Sequence, residues 1–549
     1  MNKPNIKNSN IIFLWLGLVI ISLFSRSYIP IDETRYVTVA WNMWLNHNYL
    51  VPYLNGETYS HKPPLLFWLM NIGWKVLGLN DWSPRLLPSF FAISSVFITQ
   101  NIAKRLWPDS PQIAFNSSLI LLGSALWTVF TTATMFDMLV AFFTVLGMLG
   151  VLIAYQERSL RGWILISVAI GGGLLSKGPT ILLQILPLAL LAPWWTAGGS
   201  EIKTQKKWGS WYLKILIVVI VGSVIVLSWA IPAGISGGAK YQHEIFWGQT
   251  ADRMVKSFAH RRPVYWYLPM LPVMLFPWLF ALPVWRALAK IPLLLKESGV
   301  RFCISWFVPV FIAFSLISGK QPHYLLPIFP AFALICARGL KEVKEVSFLD
   351  IAVLAFSTIL VGTLLIYLPI YDRSHHLAPW IKDIPLWSGL ILIAGPMVLF
   401  FNVNKSVHLF TWRSTLLSGL LVSVLYLGVI KAAGNAYDIR GISYKIKEIQ
   451  NQGLPIANVG KYHGQYNFIG RLDRSPDVVE EYQLADWFAA HPNGRIIMYF
   501  GKGHPLGISK PDFLQNYLGD QVGILSKDEW SSWTKTPHVT AKSESDMVE

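Results

Sequence analysis

Apolar segments of the length that crosses a lipid bilayer dominate this chain. A membrane-spanning helix needs roughly 17–25 mostly apolar residues. Segments near that length lie at about 11–30, 84–103, 112–131, 136–155, 162–175, 180–195, 211–233, 265–285, 302–317, 324–337, 349–370, 384–401 and 413–432. With 53% hydrophobic and 14% charged residues, the composition is unlike that of a soluble domain. The sequence therefore predicts a polytopic α-helical membrane protein with about 13 transmembrane helices.

Basic residues in the connections predict the orientation of the chain. Lysine and arginine accumulate in every second connection, for example at Lys104, Arg158, Arg286, Arg338 and Lys405. Because basic residues near span ends stay in the cytoplasm, we expect a cytoplasmic N-terminus. The connections 31–83 and 234–264 then lie outside, and an odd number of spans also places the tail outside.

The character of the sequence changes after residue 433. Residues 434–549 contain no span and mix charged residues, glycine and proline with short apolar runs. The runs 456–459 and 496–500 are typical of buried strands. Between them, 478–490 has helical spacing, with Val479, Tyr482, Leu484 and Trp487 on or near one face. We therefore expect a transmembrane domain, 1–433, followed by a small extracytoplasmic α/β domain, 434–549.

The net charge of +16 comes mostly from the predicted cytoplasmic connections. The sequence has no clustered basic surface interleaved with stacking aromatics, which a nucleic-acid-binding protein would need. Membrane lipid is therefore the expected partner of these cations, and nucleic acid is not.

The first predicted outer connection, 31–83, begins with charged residues. It is rich in tryptophan and tyrosine, which favours amphipathic helices lying at the membrane surface. Asp32 and Glu33 open this connection, and Arg35 and Tyr36 follow. Charges at an interface are paired, neutralised or functional. Asp32 is thus a candidate catalytic carboxylate, or alternatively a cap of the helix that follows, with Arg35 and Tyr36 on neighbouring turns.

Lys62 lies in the same connection and precedes two prolines. Pro63 and Pro64 hold the local backbone extended, so the ammonium group is presented from a stiff segment. A point cation in that position suits a phosphate. The alternative is a lysine that extends from a helix start towards the lipid headgroups.

Asp137 and Lys177 are two further charged residues at predicted outer span ends. Asp137 is flanked by apolar residues, so its carboxylate needs a partner, and Arg35, Lys177 and Arg253 are candidates. Lys177 precedes Gly178-Pro179, which predicts an outer turn. A functional carboxylate with a phosphate-binding lysine and a purely structural ion pair are both open readings of this pattern.

The second long outer connection, 234–264, is rich in glycine and contains Arg253. A loop of this kind can close over an anionic substrate, or it can rest on lipid headgroups. A later outer turn supplies Lys320 and Tyr324.

These motifs occur in one order along the chain, and together they resemble a known family. They are Asp-Glu-Thr-Arg-Tyr at 32–36, Leu-Asn-Gly at 54–56 with Tyr59 and Lys-Pro-Pro at 62–64, Asp137, Ser-Lys-Gly-Pro at 176–179, Arg253 with Pro263, and Lys320-Gln321 with Tyr324 and Pro327. The chain resembles the GT-C membrane glycosyltransferases of the protein O-mannosyltransferase superfamily. The resemblance is strongest to the bacterial branch that contains the lipid A aminoarabinose transferases, and it covers about residues 10–435.

The resemblance implies an enzyme of the bacterial inner membrane that takes a sugar from a polyprenyl phosphate. The acceptor would be a lipid A-like glycolipid, another glycan or a protein on the extracytoplasmic face. Asp32 would be the catalytic base and Asp137 a second active-site carboxylate. The roles implied for the remaining residues are phosphate binding by Lys62, Arg253 and Lys177, and substrate binding by Glu33, Arg35, Tyr59, His61, Lys320 and Tyr324.

The chemistry of such a transfer agrees with these residue types. Lysine and arginine stabilise the charge of a leaving phosphate, and a carboxylate takes the proton of the acceptor. In the aminoarabinose transferases, a glutamate before the Lys-Pro-Pro lysine pairs with a loop histidine at a metal site. Here His61 and Thr250 occupy those positions, so we expect no metal and no cofactor. A lipid-linked glycan ligase or polymerase is the nearest alternative function, and a secondary transporter is a more distant one.

Overall fold

The structure is a computed structural model that describes residues 7–197, 208–252, 261–375, 377–401, 405–501 and 511–534. Its helices are α1 Asn8–Ser25, α2 Asp32–Asn46, α3 Leu65–Leu77, α4 Ser83–Leu106, α5 Pro111–Leu122, α6 Ala125–Phe130, α7 Asp137–Gln156, α8 Leu160–Lys177, α9 Thr180–Leu190, α10 Ala192–Thr196, α11 Trp208–His243, α12 Tyr267–Met274, α13 Leu282–Leu294, α14 Ser298–Leu316, α15 Phe329–Leu340, α16 Phe348–His375, α17 Leu386–Phe400, α18 Val407–Val424, α19 Lys431–Tyr437, α20 Arg440–Asn451, α21 Asn467–Gly470, α22 Leu484–Ala490 and α23 Lys527–Thr534. The strands are β1 Tyr53–Leu54, β2 Glu57–Thr58, β3 Ile456–Val459, β4 Asp477–Val479, β5 Arg495–Phe500, β6 Phe513–Tyr517 and β7 Asp520–Leu525.

Long apolar helices form the membrane part, as predicted. Within the described ranges, nine helical segments are long and apolar enough to cross a membrane. They are α1, α4, α7, α8, α14, α16, and the segments that contain α11, α15 and α18. Shorter apolar helices, α3, α5, α9 and α17, accompany them. The predicted class, a polytopic helical membrane protein, is confirmed, although the spans differ in detail.

Two predicted spans are interrupted, and their breaks meet. The predicted span 265–285 is wrong as a single helix: α12 ends at Met274, and α13 begins at Leu282. Prolines in this segment remove helical N–H donors and break the helix. The predicted span 112–131 is likewise divided, between α5 and α6. The backbone N–H of Ala125 donates to the carbonyl oxygen of Phe276 at 2.8 Å, so one break supplies a hydrogen-bond partner to the other.

The first connection folds into a compact unit between α1 and α4. Helix α2 is followed by the two-stranded antiparallel hairpin β1–β2 and then by α3. Asn71 on α3 donates to the carbonyl oxygen of Ala40 on α2 at 3.1 Å. Ile72 and Val76 on α3 are exposed, as expected of a helix that lies against lipid.

The C-terminal region contains a five-stranded mixed sheet in the order β4-β3-β5-β7-β6. Strands β3, β4 and β5 run parallel, whereas β7 pairs antiparallel with β5 and β6. The strands predicted at 456–459 and 496–500 are β3 and most of β5. The predicted helix 478–490 is wrong in its first half, because Val478 and Val479 belong to β4 and pair with β3. Tyr482, predicted near the apolar face, is 81% exposed.

The C-terminal region packs onto the first connection. Phe468 on α21 stacks on Trp74 of α3, with ring centroids 5.1 Å apart. Trp41 of α2 donates its indole N–H to the carbonyl oxygen of Leu472 at 3.0 Å. Arg471 pairs with Asp81 at 2.5 Å. These contacts join the sheet domain to the membrane part through α2 and α3.

Ion pairs also lie at the end of the membrane helices that is opposite to the first connection. Arg338 pairs with Glu297 at 2.5 Å, and Trp107 donates to the same carboxylate at 3.0 Å. Arg105 pairs with Glu157 at 2.8 Å. These residues belong to the connections that we predicted to be cytoplasmic. Lys177 and Ser159 lie at opposite ends of α8, so the two polar regions are separated by the length of a helix.

Candidate active site

Asp32 is the first residue of α2, and its side chain is 53% exposed. Its carboxylate accepts a hydrogen bond from Arg35, one turn later. The N-cap position belongs to Ile31, so the alternative that Asp32 caps this helix is wrong. Arg35 lies on the neighbouring turn, as that alternative expected. Asp32 thus presents a half-exposed carboxylate beside a cation.

Asp137 begins α7 and is buried. The Nζ of Lys177, at the C-terminal end of α8, donates to its Oδ1 at 2.6 Å. The positive end of the α7 dipole and the negative end of the α8 dipole both favour this pair. Lys177 was one of the three partners predicted for Asp137, and of the other two, Arg253 lies outside the described residues. His323 Nε2 lies 3.9 Å from the same Oδ1.

Lys62 and Asp32 lie close to this pair. Lys62 is within electrostatic range of Asp137 and His323, and Asp32 is within range of His323. The Lys177 Nζ lies 4.6 Å from the centre of the Tyr324 ring. Residues from four separate parts of the chain therefore meet in one site.

Glu33 is buried beside Asp32 and has several partners. It forms a two-point ion pair with Arg26. It also accepts hydrogen bonds from the backbone N–H groups of Ile29 at 2.8 Å and Thr134 at 2.5 Å. Burial alone would raise the pKa of Glu33, but Arg26 and the two N–H groups outweigh it and hold the pKa below its ordinary value. This environment favours a positioning role for Glu33 over contact with substrate.

Tyr59 and His61 lead into the Lys-Pro-Pro motif. The Tyr59 ring is buried and lies 5.2 Å from the His61 ring, which is exposed. The backbone N–H of Tyr59 donates to the carbonyl oxygen of Pro52 at 2.8 Å and thereby fixes the segment before Lys62.

Lys320 is buried, and its ammonium group is directed at backbone carbonyls. It donates to Arg262 at 3.0 Å and to Ile317 at 2.5 Å. The backbone N–H of Arg262 also donates to the carbonyl oxygen of Ser318 at 3.1 Å. Lys320 therefore fastens the end of the second outer connection. Arg253, in the same connection, lies outside the described residues.

We predicted no metal because His61 and Thr250 occupy the positions that the resemblance assigns to metal ligands. Within the part of the chain that the structure describes, no three histidine, cysteine, aspartate or glutamate side chains group as metal ligands. The side chain of Thr250 is outside that part. These donor groups do not fit a metal site, so we derive no catalytic step through one.

Arg26, His323 and His463 are residues of the site region that sequence reasoning missed. Arg26 is a charged residue within the predicted span 11–30, and His323 follows Lys320 in an outward turn, so both positions carried a signal. His463 lies in the C-terminal domain, and its approach to Asp32 has no counterpart in a sequence pattern.

Comparisons with known proteins agree with this fold. The family model described as dolichyl-phosphate-mannose-protein mannosyltransferase matches residues 61–229. The chain is 28% identical over 422 residues to the undecaprenyl phosphate-alpha-4-amino-4-deoxy-L-arabinose arabinosyl transferase of Erwinia tasmaniensis, covering 73% of this chain and 72% of the relative. A relative from Proteus mirabilis with the same activity in its name is 27% identical and covers 82% of this chain and 80% of its own length.

A solved structure shares the fold over nearly the whole chain. The crystal structure of ArnT from Cupriavidus metallidurans bound to undecaprenyl phosphate superposes with a TM-score of 0.75, at 18% identity. The match covers 94% of this chain and 97% of that one.

The chain therefore has the fold of ArnT, and its Asp137–Lys177 ion pair lies at one end of the membrane helices. In sequence, the chain is similar to the dolichyl-phosphate-mannose-protein mannosyltransferase family over residues 61–229, and to aminoarabinose transferases over most of its length.

Proposed function

We propose that this enzyme transfers a sugar from a polyprenyl-phosphate donor to an acceptor hydroxyl or phosphate oxygen, with Asp32 as the base. One observation carries this proposal. A half-exposed carboxylate, Asp32, and a buried carboxylate, Asp137, both lie within electrostatic range of His323, and Asp137 is paired with Lys177 and within range of Lys62. The names of the relatives support a polyprenyl-phosphate donor.

The reaction assigns different work to the two aspartates. Asp32 is accessible, so it can accept the proton of an acceptor group as the acceptor oxygen bonds to the anomeric carbon. The bond between that carbon and the phosphate oxygen breaks, and its electron pair leaves with the phosphate. Asp137 is buried and holds Lys177, so its role is to orient that cation.

The lysines supply the positive charge that the leaving phosphate needs. Lys62 extends from the segment stiffened by two prolines, and Lys177 is held by Asp137. Arg253 would be a third phosphate-binding residue. Because a phosphate leaves readily when its charge is stabilised, the site needs no general acid.

The proposed acceptor lies on the extracytoplasmic side of a bacterial inner membrane and is a lipid A-like glycolipid, another glycan or a protein. The positive-inside distribution of lysine and arginine supports this orientation, with the N-terminus in the cytoplasm and residues 434–549 outside. The aminoarabinose transferases named among the relatives favour a lipid acceptor.

Purified enzyme tests the proposal directly. In detergent, it should release polyprenyl phosphate from a panel of polyprenyl-phosphate sugars and label a membrane-derived acceptor fraction. The matched incubation contains the corresponding nucleotide sugars without lipid carrier. Transfer from a nucleotide sugar alone would overturn the assignment of the donor.

A further inference from the structure

A loop of the C-terminal domain packs against α2, the helix that begins with Asp32. The loop, Gly460 to Gly464, follows strand β3. The Thr38 hydroxyl on α2 donates to the carbonyl oxygen of Gly464 at 2.7 Å and accepts the backbone N–H of Phe468 at 3.3 Å. The side-chain amide of Asn55 donates to the carbonyl oxygen of Tyr462 at 2.6 Å. Both α2 and the hairpin after it therefore hold this loop.

Gly464 makes the close approach possible. Its φ is +73°, and a Cβ at this position would lie 2.7 Å from the side chain of Leu54 and 3.0 Å from that of Thr38. A larger residue would be strained at this φ and would press against both side chains. The contact is thus built into the backbone of the loop.

This contact directs the loop towards Asp32. Asp32, Arg35 and Thr38 are spaced three residues apart, so they lie near one face of α2. His463 directly precedes Gly464, whose carbonyl oxygen accepts the hydrogen bond from Thr38. It is partly buried and lies within electrostatic range of Asp32, Arg35 and His61. Lys461 is exposed and lies within range of His463.

Asp32 thus has basic residues from the membrane part and from the C-terminal loop in its surroundings. Lys62, Lys177 and Asp32 all lie within electrostatic range of His323. Arg35 and Lys461 act on His463, which Asp32 reaches as well. Glycosyl transfer brings both a donor and an acceptor to the base. Lys62 and Lys177 are assigned to the donor phosphate, so the cations near His463 suit an anionic acceptor.

The ionisation of the loop fits a binding role. Burial, Arg35 and Lys461 lower the pKa of His463 to about 4, so the imidazole is neutral at neutral pH. A neutral imidazole offers one hydrogen-bond donor and one acceptor, which suits a sugar hydroxyl. The exposed ammonium group of Lys461 offers a point charge for a phosphate.

We propose that Lys461 and His463 form the acceptor subsite, which binds a phosphate-bearing glycan headgroup beside Asp32. Lys461 pairs with the phosphate, and His463 hydrogen-bonds to the sugar. This inference rests on the proposed glycosyl transfer, and it gives the C-terminal domain a direct part in acceptor recognition.

Acceptor binding by the purified full-length enzyme tests this subsite without any turnover. The probes are a lipid-anchored glucosamine disaccharide with phosphate monoesters and the same lipid without phosphates. Lys461→Met should weaken binding of the phosphorylated probe about tenfold, the effect of one charged contact, and leave the other probe unchanged. The matched control is Lys527→Met, which removes an exposed lysine from α23.

His463 has its own pair of variants. His463→Leu should weaken binding of both probes, whereas His463→Gln, which keeps a hydrogen-bonding side chain, should restore most of it. Release of polyprenyl phosphate from the donor in the absence of acceptor is measured alongside, because it reports on the donor site. Unchanged binding in Lys461→Met, or equal losses for both probes, would overturn the subsite. Wild-type enzyme that binds the phosphorylated probe but consumes no donor would count against the proposed function alone.

Discussion

Glu33 and Arg26 form a buried ion pair that joins the start of α2 to the turn before α7. Arg26 also donates to the carbonyl oxygen of Thr132 at 2.6 Å, and Glu33 accepts the backbone N–H of Thr134 at 2.5 Å. Asp32 precedes Glu33, and Asp137 follows the same turn. The pair therefore connects the two segments that carry the aspartates of the site.

Glu33→Gln should lower both stability and turnover. The substitution leaves Arg26 buried without a counter-charge, and breaking such a pair costs about 3–5 kcal/mol of unfolding free energy. The thermal midpoint in detergent should fall clearly. Glu342→Gln is the matched control, because Glu342 pairs with Arg338 through a side chain that is 40% exposed, and pairs of that kind contribute about 0–1 kcal/mol. Equal midpoints for both variants would contradict the positioning role.

The same pair predicts the response to acid. The folded-state pKa of Glu33 lies below the ordinary value of 4.5, so its ionised form stabilises the fold. The contribution is complete above about pH 4.5 and is lost as the pH falls through the lower, folded-state pKa. The thermal midpoint of the wild type should therefore decline more steeply between about pH 5 and pH 3 than that of Glu33→Gln. Parallel declines would show that other groups govern acid unfolding.

Asp137 and Lys177 should behave as a coupled pair. Asp137→Asn and Lys177→Met should each destabilise the protein, since each leaves a polar partner in an apolar setting. The double variant should lose less than the sum, with a coupling on the order of 1–3 kcal/mol. Thermal unfolding of the four proteins measures this. Additive losses would mean that the 2.6 Å contact contributes nothing to stability.

The sequence predicted features that depend on local constraints. Asp137 is flanked by apolar residues in sequence, so an ion pair at Asp137, with Lys177 among three candidate partners, followed from the cost of burying a lone charge. The strands at 456–459 and 496–500 were likewise visible, because continuous apolar runs of that length favour buried strands.

Features that depend on distant parts of the chain were not predictable in this way. The contact of Thr38 with Gly464 joins residues 426 positions apart. The interruption of the predicted span 265–285 is stabilised by the hydrogen bond from Ala125 to Phe276, which hydropathy does not report. Val478 and Val479 fit a helical face in sequence, yet pairing with β3 makes them a strand.

Chelation should leave turnover intact. His61 and Thr250 stand where the aminoarabinose transferases have the glutamate and histidine of a metal site. The proposed steps use only carboxylate and cationic side chains. Enzyme dialysed against EDTA should keep its rate of donor consumption. Loss of activity that zinc restores would refute metal-independent catalysis.

Asp32→Asn tests the base directly. The amide keeps the size and hydrogen-bonding capacity of the side chain but cannot accept the proton of the acceptor, so turnover should fall about 10²–10⁴-fold. Asp32 is half exposed, and its ion pair is with Arg35 of its own helix, so the thermal midpoint should change little. Glu57→Gln, at an exposed carboxylate of β2 in the same connection, is the matched control and should retain full activity. Donor binding should persist in both variants, because the phosphate contacts are assigned to Lys62 and Lys177. A stable Asp32→Asn enzyme with wild-type turnover would show that Asp32 is not the base.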